Sequence, residues 1–114
     1  MIIDPKDRLR LNHIVEASNH IADFVRDVTE EEFSGNYEKQ SAVIRQFEII
    51  GEAASKLSSE FTEQNNQIDW PKVVGMRHKM IHDYFDVDTK IVWATAIDDA
   101  VPLKEAIKKI LADR

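Results

Sequence analysis

A chain of 114 residues with only three glycines, three prolines and 32% charged residues leaves little room for a turn-rich β architecture, and it reads as one domain over residues 1–114. A net charge of −6 argues against general coating of nucleic acid, and the lack of cysteine excludes disulfides and thiolate sites. No apolar run approaches the roughly 18 residues of a membrane span, and Met1-Ile2-Ile3-Asp4-Pro5 has no leader-like pattern, so a soluble cytoplasmic protein with no membrane partner is expected.

The elements predicted in chain order are helical. Asp4-Pro5 supplies an N-cap and a proline at the first helical position. Leu11, Ile14, Val15, Ile21, Phe24, Val25 and Val28 then recur at helical spacing, opposite Asn12, Glu16, Asn19 and Asp23. Thr29-Glu30-Glu31-Glu32 has the form of a capping box, and Gly35 stops the short helix or turn it starts. A second long helix is expected from about Tyr37 to Ser58, with Val43, Ile44, Phe47, Ile50, Ala54 and Leu57 as its apolar stripe. Gly51 inside it is unfavourable relative to alanine, so another backbone is expected close by. Residues 60 to 69 read as a polar connection, and Trp70-Pro71 opens a short third helix over about Pro71 to His82.

Asp88 is the expected cap of the last helix, which carries Ile91, Ala94, Ile97, Val101, Ile107, Ile110 and Leu111 and which Pro102 should kink or interrupt. Trp70 and Trp93 read as core anchors, and His13 and His20 as packed or solvated. The sequence contains no internal repeat and no convincing strand. The fold class is therefore all-α, an up-and-down bundle of four to five helices.

Arg77-His78-Lys79-Met80-Ile81-His82-Asp83-Tyr84 carries the chemistry. From Pro71 to Tyr84 the formal charge is +2, which leaves −8 on the other 100 residues. Such an island suits a focused phosphate contact better than a long binding track. Arginine grips phosphate with two donors, and histidine titrates near neutral pH. RNA brings its own nucleophile, the 2′-hydroxyl, so one histidine to move a proton and one arginine to hold the phosphate suffice for cleavage. No cofactor or metal is required. His78 and His82, four apart, could chelate a metal from one helix face, but no third strong ligand lies at a telling spacing.

On an ideal helix Arg77 and His82 would stand roughly 140° apart. Either His82 lies at or past the helix end, or the site is assembled from two chains. The blander reading is surface charge, because cations near a helix C-terminus are stabilising in any case. Glu52, beside Gly51 and Ala53, is the candidate partner for Arg77.

The spacing Arg-x4-His-x-Tyr resembles the signature of the HepT-like toxins, a branch of the HEPN ribonucleases. Residues 42–53, Ala42-Val43-Ile44-Arg45-Gln46-Phe47-Glu48-Ile49-Ile50-Gly51-Glu52-Ala53, are similar to that family's long second helix. Ile68-Asp69-Trp70-Pro71 with Val74-Gly75-Met76-Arg77 resembles its approach to the motif, and residues 81–88 followed by Ile91-Val92-Trp93 its exit.

The resemblance implies an α-helical HEPN fold working as a homodimer, in which two motif segments meet at a shared cleft. It implies catalytic roles for Arg77 and His82, auxiliary positive field from His78 and Lys79, and an RNA substrate, messenger or transfer RNA. It also implies a toxin–antitoxin pair in which a minimal nucleotidyltransferase antitoxin transfers AMP to Tyr84. His78 departs from the pattern, where asparagine commonly follows the arginine, and its protonation could make activity more pH-dependent. The alternative function is a non-catalytic helical partner or regulatory subunit of a minimal nucleotidyltransferase, and a third is a plain dimeric helical module.

Overall fold

Capping side chains start the helices where the sequence places them. The structure is a computed structural model that describes residues 2–83 and 86–112, leaving out the side chains of His82 and Asp83. Asp4 accepts from the Lys6 N–H at 2.8 Å and Pro5 opens α1, Pro5–Val25. Thr29 caps α2, Glu30–Ser34, in a complete capping box. The Thr29 backbone N–H and hydroxyl both donate to Glu32 and hold its carboxyl below the usual carboxylate range. Asn36 caps α3, Tyr37–Ser55, and Asp88 caps α6, Thr89–Asp98, through the Ile91 N–H at 3.2 Å. The last helix, α7, runs over Ala100–Ala112. Pro102 sits in its first turn, where the missing N–H is no loss, and the break at Asp99 is the interruption that proline predicts.

The helical bundle is thus the all-α architecture expected. Its long members α1, α3, α6 and α7 enclose Leu11, Ile14, Ile21, Val43, Phe47, Ile50, Val92 and Ile107, each essentially without solvent exposure. Both tryptophans work as anchors. Trp70 is buried with its ring 5.8 Å from that of Phe61, and Trp93 stands 5.3 Å from Phe33. Gln40 is buried under the end of α2, donating to the carbonyls of Phe33 and Ser34 at 2.9 Å each.

Three expectations need correction. The polar connection between residues 60 and 69 contains a helix, α4, Ser59–Gln64. The third helix does not reach His82: α5 covers only Trp70–Val74, and a 3-10 turn, Met76–Lys79, follows it. Short strands are present as well, β1 at Ile81–Asp83 and β2 at Asp86–Val87, antiparallel with Ile81 opposite Val87 and Asp83 opposite Asp86. Gly75 ends α5, its N–H turning back to the Pro71 carbonyl at 3.0 Å. Strands of three and two residues are too short to leave a period in the sequence.

The helix α4 depends on a partner far away in the chain. Its cap, Ser58, donates its N–H and its hydroxyl to the two carboxylate oxygens of Asp7 at 2.8 and 2.7 Å, and Asp7 is buried on α1. Asp7→Ala leaves both donors without their acceptor and is expected to lower stability by about 1.5–3 kcal/mol, read as a fall in the urea midpoint. A midpoint unchanged from wild type would exclude this link as a source of stability.

Candidate active site

A glycine sets the position of the basic segment. A β-carbon on Gly51, in the C-terminal part of α3, would lie 2.9 Å from the Val74 carbonyl oxygen, closer than real side chains come. The end of α5 therefore lies against the α3 backbone with nothing between. Gly75 and the 3-10 turn then carry the chain along α3. Met76 and Met80, at either end of the turn, are buried at 3% and 0% exposure, while Arg77, His78 and Lys79 between them are exposed. Two apolar side chains in the core thus present three cationic or titratable ones outward.

Arg77 does not meet Glu52, as sequence reasoning had it. Its Nε donates to Glu48 Oε2 at 2.7 Å, and the Arg77 side chain stays 43% exposed. Glu52 pairs with Lys56 at 3.4 Å instead. The reason is angular: Glu48 and Gly51 are three residues apart and lie about 60° from each other around the helix, whereas Glu52 is turned about 100° from Gly51. The residue one turn before the glycine, not the one after it, faces the incoming chain, and this angle was the available signal. Arg45 also went unnoticed; its Nη1 lies 3.6 Å from Glu48 Oε1. Glu48 is thus flanked by two guanidiniums, and the triplet keeps a net positive charge.

Lys79 reaches towards Asp99, between α6 and α7, at 3.7 Å. His78 is exposed, its N–H donating to the Gly75 carbonyl at 2.9 Å. The backbone of His82 lies in β1, past the end of the 3-10 turn, which is one of the two arrangements the helical-wheel argument required. His78 and His82 consequently do not share a helix face. Tyr84 lies outside the described residues. Among the described residues no three His, Cys, Asp or Glu side chains gather where they could hold a metal ion. His13 and His20 lie instead along α1, lining with Glu16, Ala17, Gln46 and Ile49 an open groove of about 370 Å³, and His20 is 3.7 Å from Glu16.

The family described as "Ribonuclease HepT-like" matches residues 14–110, which takes in the whole of this arrangement. The chain belongs to the HepT-like ribonuclease family. It is 38% identical over 100 residues to a "probable ribonuclease HepT" of Thermococcus cleftensis, covering 88% of this chain and 91% of that one. To a "putative RNase" of Caldanaerobacter subterraneus it is 35% identical over 101 residues, covering 89% and 90%. A third relative, a "gamma-glutamylcyclotransferase and putative RNase" of Methanocaldococcus jannaschii, is 41% identical over 106 residues; the match takes in 93% of this chain but spans about half of that protein, 48%. No solved structure matches. Among the described residues no helix is long and apolar enough to cross a membrane.

In this HepT-like chain Gly51→Ala opposes two effects. Alanine gains about 1 kcal/mol over glycine in a helix interior, while forcing a methyl group into the packed contact with Val74 costs about 1–3 kcal/mol. The expected net is a modest loss of stability, seen in thermal unfolding, together with a shifted Arg77 side-chain resonance in NMR. A variant more stable by the full helix-propensity gain would show that the contact is not tight.

Proposed function

We propose that this protein is a metal-independent endoribonuclease toxin of a toxin–antitoxin pair. The observation that carries the reading is the Arg77 guanidinium: in a HepT-like chain it stands at the surface, held through Nε alone among the described residues, with its two Nη groups available to an incoming phosphate. The names of the relatives as ribonucleases point the same way.

In this reading the 2′-oxygen of the RNA attacks the adjacent phosphorus, and the bond to the 5′-oxygen of the next nucleotide breaks. The products are a 2′,3′-cyclic phosphate and a 5′-hydroxyl end. His82 acts as the general base or acid that moves the proton from the 2′-hydroxyl or to the leaving oxygen. Arg77 holds the phosphate and stabilises the additional charge of the transition state. His78 and Lys79 add positive field. Two copies of the 77–84 segment face each other across a homodimer cleft, so that the arginine of one chain and the histidine of the other can serve one phosphate. DNA, without the 2′-hydroxyl, is not cut.

The protein, free of modification at Tyr84 by mass spectrometry, is incubated with total RNA in EDTA beside Arg77→Ala and His82→Ala. Wild type is expected to cleave and leave 2′,3′-cyclic ends, and both variants to remain dimeric and inactive. No cleavage by the unmodified dimer would replace this reading with that of a non-catalytic partner of a nucleotidyltransferase, and cleavage by His82→Ala would overturn the mechanism.

Neutralisation follows from the position of Tyr84, two residues from His82. Attack of the tyrosine oxygen on the α-phosphorus of ATP, with loss of pyrophosphate, places a charged phosphodiester beside the site, where it competes with RNA for Arg77. Incubation with the cognate minimal nucleotidyltransferase and ATP is expected to add AMP to wild type but not to Tyr84→Phe, and to stop cleavage. AMP found on the Tyr84→Phe protein would refute that assignment.

A further inference from the structure

We propose that Glu48 is a positioning residue for Arg77, and that Arg45, Glu48 and Arg77 together form the phosphate-holding face of the site. The inference rests on the ribonuclease reading and goes beyond it, since Glu48 and Arg45 stand outside the Arg-x4-His-x-Tyr motif.

Three observations carry it. The Glu48 carboxylate meets Arg77 at Nε, with a 2.7 Å bond, and among the described residues no side chain bonds the Nη1–Nη2 edge of this 43% exposed guanidinium. That edge is the fork that matches two oxygens of a phosphate. Second, Glu48 is mounted on α3, a helix of 19 residues with Phe47 and Ile50 at zero exposure on either side of it in sequence, whereas Arg77 rides on a four-residue 3-10 turn. The rigid element thus holds the catalytic cation of the short one. Third, the other carboxylate oxygen faces Arg45 Nη1 at 3.6 Å, and the Arg45 side chain is 65% exposed. A single negative charge between two arginines keeps the triplet positive and separates the guanidiniums, so that a second phosphate of the strand can lie on Arg45 while the reacting one lies on Arg77.

Structural stabilisation is a poor explanation for this pair, because exposed ion pairs contribute little to folding. The charge balance gives the positioning role its own signature. Removing the carboxylate charge raises the triplet from +1 to +2, so RNA should bind as tightly or more tightly, while an Arg77 that is no longer oriented should serve the transition state less well. Positioning through Glu48 therefore lowers kcat without raising KM, a combination that simple loss of binding does not produce, while loss of folding shows separately in the unfolding temperature.

The test uses the full-length dimer and a short RNA carrying one cleavable linkage, with its 2′-O-methyl analogue to measure binding. Glu48→Ala is expected to lower kcat by about 10²-fold, the scale of a misplaced catalytic group. Glu48→Gln, which keeps an acceptor for Nε, should retain more of the rate. Both should bind the analogue at least as tightly as wild type and unfold at the wild-type temperature. Wild-type kcat in both Glu48 variants, with Arg77→Ala inactive, would overturn the positioning role and leave the ribonuclease reading standing. A fall in activity that tracks a lowered unfolding temperature, or a raised KM with kcat intact, would overturn it as well. If wild type and the Glu48 variants all fail to cleave, the ribonuclease reading falls and takes this inference with it.

Discussion

The site depends on one contact between two backbones. Where Gly51 meets Val74, α3 carries no side chain, and the approach is closer than any β-carbon would permit. Everything downstream inherits its position from there. Gly75 can turn immediately, Met76 and Met80 can both reach the core, and the residue one helical turn before Gly51 comes within hydrogen-bonding distance of Arg77. A larger residue would move the 3-10 turn off the helix and separate the guanidinium from its carboxylate. The glycine lowers the intrinsic stability of α3, and the fold accepts that loss in exchange for the approach.

The charge distribution is uneven. The body is acidic, and two cations sit on a turn of four residues braced from both sides, Arg77 by Glu48 on α3 and Lys79 by Asp99 between α6 and α7. Bracing matters more than number here. A free arginine side chain samples many rotamers, and ordering it on substrate binding consumes interaction free energy. A guanidinium already held by one edge has less of that freedom left to lose in any further contact.

Legibility in the sequence followed the range of the interactions. Asp4-Pro5, Thr29-x-x-Glu32 and Asp88 form caps within a few residues, so they could be read directly, and the structure has them. The apolar stripes of α1 and α3 were legible for the same reason. Ser58 escaped although it caps α4 locally through the Phe61 N–H at 3.1 Å, because a helix of six residues leaves little period, and its bond to Asp7, 51 residues away, had no local signal. The hairpin of β1 and β2 escaped notice because alternation needs more residues than those strands contain. At the candidate site, the sequence was enough to say that another backbone approaches Gly51. Whether Glu48 or Glu52 faces that backbone was decided by about 40° of helical rotation, which a motif does not display. The 3-10 geometry after Gly75 was hidden too, since a helix running on to His82 has the same composition.

The Asp88 N–H donates to the Met80 carbonyl at 2.7 Å, so the residues on either side of the strand pair are held together at the bundle. Just beyond it, Ile81 and Val87 stand opposite each other in the two strands and both pack against the core. The Met80 carbonyl and the Asp88 side chain together fix where α6 begins. Sequence change at Ile81 or Val87 is therefore felt by the bundle, because the strand pair is tied to it by packing as well as by its closing hydrogen bond.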